Sequence, residues 1–383
     1  MQPRSVQFNH IILSLTAALL IAVGFSHCSG GVFSPPIRTL AVDRVQTTDA
    51  PSIQQAAVAA VSVQLTAPPL IGMTAVSGAA IPVGISPGGG FESIFATLSA
   101  SDQHNVIALM KADGVRWLRL DYYPTPTKSP FDYQFIKDAS QAGINVDVLM
   151  NYYSGTSQQF AQAVATMAPL GVHTYEILNE VNGSSPVPVS SYAPLLKLAY
   201  QTIKAADPDS FVLMSGLASG TQENEPSNYL DRMYKAGAKD YFDAANMHPY
   251  TFPAMPVPSP DPCQTYNAFC HDLPLMRKVM LDYKDGGKKI WITEFGCPTG
   301  TAAGQINPCS DEKLARQLIE AYDQGQAWGW IGPFLVFDWQ NDDVDGDFGL
   351  YRADGTPKPD ALAAFEQIAG VASPTPGAGI LSP

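Results

Sequence analysis

Charge is what this sequence has least of. Ionisable Asp, Glu, Lys and Arg make up only 15% of the 383 residues, and 22 Lys and Arg face 35 Asp and Glu, for a formal net charge of −13. Nucleic acids and other polyanions are held by clustered cations, so this balance excludes them as partners and favours a neutral or weakly charged ligand. Histidine is also scarce, with six copies scattered along the chain, and no two of the five cysteines stand in C-x2-C spacing. Neither a transition-metal centre nor any other cofactor is expected. A phosphate-cradling glycine loop is missing as well: Ser86–Gly90 (SPGGG) lacks the nucleotide fingerprint and reads as a flexible turn.

Long apolar runs are lacking too, except for one from Ile11 to Phe25, preceded by Arg4 and ending among the small residues Gly24 and Ser26. It is too short to span a bilayer as an ordinary helix and fits the hydrophobic region of an export signal. The reading is a signal peptide over residues 1–29, with lipid attachment at Cys28 a minor option, and no other membrane contact. Residues 30–80, rich in Ala, Ser, Thr, Pro and Val without periodicity, read as a low-complexity linker. A catalytic domain over 81–370 and a flexible tail over 371–383 complete the chain. In an exported protein the remaining cysteines are expected to pair as Cys263–Cys270 and Cys297–Cys309, each closing a short loop, although four cysteines allow three pairings. Oligomeric state is left open.

Within 81–370, short runs of aliphatic, β-branched and aromatic residues begin at Ile81, Val115, Asn145, Thr174, Phe211, Ala244, Lys289 and Pro333. Between them lie helical patterns, such as Ser101–Ala112, Asp132–Ala142, Ser191–Ala206, Asn228–Ala236, Asp272–Tyr283 and Asp311–Trp328. Asp272 and Ser310 are placed to cap helices, and Gly114 and Gly143 to end them. Strands alternating with helices imply a parallel sheet, and eight repeats suit a closed (β/α)8 TIM barrel.

Catalytic groups of such barrels gather at the C-terminal ends of the strands. Here those ends carry Arg119, Asp121, Tyr122 and Tyr123 (strand two), Asn151 and Tyr152, with Tyr153 next (three), Asn179 and Glu180 (four), His248 and Tyr250 (six), Glu294 (seven), and Asp338 and Trp339 (eight). The four tyrosines up to Tyr153 read equally as cleft or packing. Glutamates ending strands four and seven face one cavity from opposite sides. That is the arrangement glycosidic cleavage needs, with one carboxyl protonating the leaving oxygen and the other attacking the sugar. Mutual repulsion should keep one of them protonated near neutral pH. Trp339, between Asp338 and Gln340, reads as an exposed platform for a sugar face, whereas Trp117 and Trp291 read as core. The acidic loop Asn341–Asp347 has the look of a calcium loop, but Arg352 stands where a twelfth-position Glu would be required, so a solvated turn or a substrate-facing rim is expected.

The runs Ile177-Leu178-Asn179-Glu180 and Trp291-Ile292-Thr293-Glu294-Phe295-Gly296 resemble clan A glycoside hydrolases, families five and thirty-nine among them. The resemblance covers about Ile81 to Gly370. It implies Glu180 as acid/base and Glu294 as nucleophile, with His248-Pro249-Tyr250 similar to the strand-six motif whose Tyr contacts the nucleophile. It further implies Arg119 as the strand-two arginine and Asn179 on the 2-hydroxyl of the reacting sugar. The function expected is a secreted or envelope-associated retaining glycosidase, cofactor-free, acting on a glycoside or polysaccharide. A non-catalytic carbohydrate-binding barrel and a transglycosylase using the same residues are the alternatives. Paired acids speak against the first of these, since binding alone does not require them.

Overall fold

The structure, a computed structural model, describes residues 80–122, 133–151, 155–220, 224–257, 267–300 and 308–371. The proposed signal, the linker, Cys28, Cys263, the C-terminal tail, Tyr123, Tyr152 and Tyr153 lie outside the described residues.

Eight strands close into one parallel barrel in sequence order. They are β1 (Val83–Ile85), β2 (Trp117–Tyr122), β3 (Asn145–Met150), β4 (Thr174–Asn179), β5 (Phe211–Ala218), β6 (Ala245–His248), β7 (Ile290–Ile292) and β8 (Ile331–Val336). Each falls within or beside one of the eight runs found in the sequence. Both faces of a parallel sheet are covered, which is why the strands read as nearly continuous apolar runs.

The helices are α1 (Gly88–Phe95), α2 (Ala100–Ala112), α3 (Tyr133–Gln141), α4 (Ser157–Met167), α5 (Val189–Ala206), α6 (Pro226–Lys235), α7 (Leu273–Asp282), α8 (Asp311–Trp328) and α9 (Pro359–Ile368). Local chemistry sets several of their starts. The Ser310 hydroxyl accepts the Lys313 N–H at the head of α8, and Thr156 and Gln159 form a reciprocal capping box on α4. Gly114 and Gly143 have the positive φ expected after α2 and α3. Asp272 does stand at the cap position of α7, but its side chain makes no capping bond and pairs instead with His271 Nδ1 at 2.8 Å. The segment Gly88–Gly90, read as a flexible turn, opens α1 instead. Gly88 sits at φ +74°, and a β-carbon there would lie 2.5 Å from the Asp345 carboxylate. The glycine lets a helix begin against the acidic loop, at the mouth of the barrel.

Near the N-terminal ends of the strands the barrel is plugged by aromatics. Trp117 and Trp291 meet edge-on with ring centroids 4.8 Å apart, and Phe211 stacks on Trp291 at 5.4 Å. This agrees with the core assignment of the two tryptophans. Polar groups therefore collect toward the other mouth. Cys297 and Cys309 form a disulfide, as expected from their spacing. Cys270 is also disulfide-bonded. Among the described residues no helix is long and apolar enough to cross a membrane.

Candidate active site

Parallel pairing brings the ends of β2, β4, β6 and β7 to one mouth, and the sequence-predicted polar residues converge there. Arg119 on β2 is buried and engages all five of its N–H groups. Nε and Nη2 donate to the two oxygens of Glu176 at 2.8 and 3.0 Å, and Nη2 also donates to Asn179 Oδ1 at 2.9 Å. Nη1 donates to Ser86 Oγ at 3.2 Å and to Glu294 Oε1 at 2.7 Å. A guanidinium held in this way is a fixed fork rather than a mobile charge, and Glu176 and Glu294 hold its pKa still further above the ordinary arginine value.

Glu294 follows β7 and is almost buried. Its second oxygen accepts the Tyr250 hydroxyl at 2.9 Å. Burial and the charge of Glu294 push the Tyr250 phenol well above its usual range, so it stays a donor. Glu180 follows β4 and is the more exposed acid, with 37% of its side chain open against 11% for Glu294. His248 lies between them, wholly buried. Its Nδ1 is 3.0 Å from Glu180 Oε1 and 3.5 Å from Glu294 Oε2, while Nε2 contacts Thr293 Oγ1 at 3.0 Å. The Thr293 hydroxyl is in turn held by Asn246. One ligating atom from each of Glu180, His248 and Glu294 lies within 4.8 Å of the others.

The proton of this cluster is not where repulsion between two carboxylates alone would put it. Burial pushes Glu180 up, but its hydrogen bond to His248, the charge of that histidine and the charge of Arg119 outweigh burial and leave the carboxyl below its ordinary value. Burial pulls His248 down, yet the charges of Glu294 and Glu180 leave it above its ordinary value. Both directions favour a proton on the imidazole over one on Glu180.

Backbone geometry aims the acid. Leu178 and Glu180 both have positive φ, 63° and 46°, a conformation that costs an L-residue about 1–2 kcal/mol. The Glu180 N–H donates to Gly216 O at 3.0 Å, and the carbonyl of Glu180 accepts from Gly183, closing the turn. Asn182 then ties this loop to the next one, donating to Ala218 O and Asn224 O at 2.7 Å each.

The site corrects one expectation and adds residues. Trp339 is not an exposed platform: its indole is 2% exposed and packs on Tyr351, with centroids 4.7 Å apart. Its polar neighbours suggested an open position, but the chain after β8 turns the ring inward. Glu176 escaped sequence reading, although a Glu inside an apolar strand is itself a signal, because buried acids need partners. Wholly buried Asp147 also lies inside the barrel, with neither carboxyl oxygen hydrogen-bonded among the described residues. Burial and the neighbouring Glu176 push its carboxyl well up, so it stands as a neutral acid under the Arg119–Glu176 pair. The acidic loop folds on itself, with Asp342 Oδ1 accepting the N–H groups of Val344 and Asp345 at 2.7 Å each. Glu225, His271 and Asp272 also bring ligand-type atoms within 4.8 Å of one another, where α6 begins and the short π-turn Ala268–Asp272 runs into α7.

No protein-family model and no curated protein matches the chain. Solved structures do. A family 39 glycoside hydrolase from Bacteroides cellulosilyticus WH2 aligns with a TM-score of 0.58 at 22% identity, over 76% of this chain and 64% of that one. A GH5_18 protein from Bifidobacterium longum subsp. infantis gives 0.55 at 12% identity, over 76% and 78%. A monomeric beta-xylosidase from Caulobacter crescentus CB15 gives 0.52 at 16%, over 75% and 69%. The chain thus spans less than two thirds of the family 39 protein, at 64% of its length. The likeness establishes the fold. It is a closed (β/α)8 barrel, as the alternation of strands and helices in the sequence predicts.

Proposed function

We propose that the protein is a retaining glycoside hydrolase, with Glu294 as nucleophile and Glu180 as acid/base. The observation that carries this reading is the pair of glutamates at the ends of β4 and β7, with carboxyl oxygens within 4.8 Å. That spacing belongs with the roughly 5–5.5 Å of retaining enzymes rather than the roughly 6.5–9.5 Å that leaves room for an inverting water. The different settings of the two acids support the division of roles. Glu294 is aimed by hydrogen bonds from Arg119 and Tyr250, whereas Glu180 is open to a leaving group and to water.

In the first step a Glu294 oxygen attacks the anomeric carbon, the glycosidic C–O bond breaks, and Glu180 passes a proton to the departing oxygen. His248 replenishes that proton through Nδ1. Forming the ester removes the negative charge of Glu294, and with it part of what held the proton on the imidazole. In the second step Glu180 takes a proton from water, the water oxygen bonds to the anomeric carbon, Glu294 leaves as carboxylate, and the proton returns to His248. Asn179, fixed by Arg119, is positioned for the sugar's 2-hydroxyl. Secretion is part of the same proposal. It is supported by the residue pattern of the first 29 positions and by the Cys297–Cys309 disulfide, a bond of oxidising compartments.

Glu180→Ala should slow substrates with poor leaving groups at least a hundredfold, the lower bound of the range for general acid–base catalysis (about 10²–10⁴), while activated aryl glycosides suffer far less. Azide should restore turnover and give a glycosyl azide of retained configuration. Glu294→Gln should abolish turnover and covalent labelling by a 2-fluoro glycoside. Equal slowing of good and poor leaving groups, with no azide rescue, would remove Glu180 from its role. Labelling of the Glu294 variant would remove Glu294 from its own.

A further inference from the structure

The leaving group departs at Glu180, so the sugar ring that Glu294 attacks sits over Glu294 and extends from the anomeric carbon away from the leaving group. A cleft of about 190 Å³ opens there, between β1, β2 and the loop after β8. Its chemistry is lopsided. Glu92, Asp121 and Asp345 line it together with Glu294, and Arg119 is the one cation among its lining residues. Every N–H of that arginine is already engaged, by Glu176, Asn179, Ser86 and Glu294. Among the described residues that line the cleft, no free cation is left for a carboxylate on the substrate.

Glu92 is the informative member. It comes from α1, is 5% exposed, and its Oε1 accepts the Asp121 N–H at 2.8 Å. Its Oε2 is buried with no hydrogen-bond partner among the described residues. A buried polar atom without a partner costs stability unless something in the working state supplies one. Glu92 lines a cleft next to the nucleophile, and a sugar hydroxyl is the group that would supply the missing partner. Burial and the charges of Asp121 and Asp345 hold the Glu92 carboxyl well above its ordinary range, so it can also present a proton to a hydroxyl oxygen.

Building on the glycosidase reading, we propose that this carboxyl-lined cleft is the glycone subsite, that Glu92 is a specificity-determining residue within it, and that it accepts an uncharged sugar through its hydroxyls while rejecting uronic acids. A uronate carboxylate placed here would face Glu92, Asp121 and Asp345 with no free cation to compensate. An uncharged glycose offers only hydroxyls, which such acceptors bind.

The test pairs neutral and uronic substrates that differ only at C6, as aryl glycosides (glucoside with glucuronide, galactoside with galacturonide) and as the corresponding glycans, for wild type, Glu92→Gln and Glu294→Gln. Wild type should turn over neutral members with kcat/KM at least a hundredfold above their uronic partners. Glu92→Gln should narrow that gap at least tenfold, because an amide of the same shape cannot ionise against the uronate and can donate an N–H to it. A uronide cleaved within tenfold of its neutral partner, in a reaction lost with Glu294→Gln, overturns the subsite assignment and leaves the glycosidase reading standing. An unchanged gap in a folded Glu92→Gln variant overturns the role of Glu92. Absence of any Glu294-dependent cleavage on both sets defeats the glycosidase reading itself.

Discussion

At the scale of single residues, His248 decides where the proton waits. It is fully buried between two carboxylates, and the negative charges raise its pKa above the ordinary value of 6.5 despite burial. The imidazolium therefore persists below that raised value and is lost as pH climbs through it. Activity on poor leaving groups should fall along the same limb. In His248→Gln the acid proton must rest on Glu180 alone, so the alkaline limb should move to lower pH and kcat for poor leaving groups should drop at least tenfold, with activated substrates little affected. A pH–rate profile identical to wild type would show that the histidine only fills space. The meeting of Glu180, Glu294, Asn179, His248 and Tyr250 at one mouth was approachable from sequence because each stands at or just past a strand end, whereas Arg119, inside β2, came through the resemblance. Glu176 was not, because it lies two residues inside β4 and its importance exists only through Arg119, 57 positions away. Trp339 misled because polar neighbours describe the chain near a residue and not the direction its ring takes.

At the scale of elements, the eight strands were legible because parallel strands must be apolar on both faces, whereas α1 was hidden by the three glycines that open it. Those glycines remove helix propensity, but Gly88 also lets the backbone pass the acidic loop, a tertiary fact with no local signature. A comparable close approach joins β5 to β6. An alanine β-carbon at Gly216 would lie 2.1 Å from His248 Nε2, and the Gly216 N–H also donates to Glu176 Oε1 at 3.1 Å. Gly216→Ala must push the imidazole off its line to Glu180. Overpacking of this kind costs about 1–3 kcal/mol, and a displacement on the order of 1 Å near the chemistry can cost about a hundredfold in rate. The variant should fold with a lowered Tm and lose ten- to a hundredfold in kcat, more for poor leaving groups than for activated ones. Full activity in a folded Gly216→Ala protein would mean that His248 is free to move without consequence.

At the scale of the whole molecule, the barrel holds more acid than it can pair. Asp147, Glu92 and Asp338 are each buried, and in all three burial pushes the carboxyl well above its ordinary value. Asp338 is raised further by Asp342 and Asp345. A carboxyl whose folded pKa is raised stabilises the fold fully below its unfolded value and loses that contribution as pH rises through the folded one, because the native state then holds protons the unfolded chain has released. His248, also raised, acts in the same direction above 6.5. Lys358 acts the opposite way, since burial lowers it to about 8, but its effect lies at and above that pH. Between about pH 5 and 8 the carboxyl and histidine contributions therefore dominate, and thermal stability should decline as pH rises. Asp147→Asn isolates one contributor without emptying its space. It should match wild type at the acid end of that window and exceed it at the alkaline end, by about 1.4 kcal/mol for each unit by which the folded pKa is raised. Melting curves of both proteins across the window measure this directly. Parallel curves would mean that Asp147 stays ionised inside the barrel, held by Arg119, and that the buried acids share their charge more widely than the geometry around Asp147 indicates.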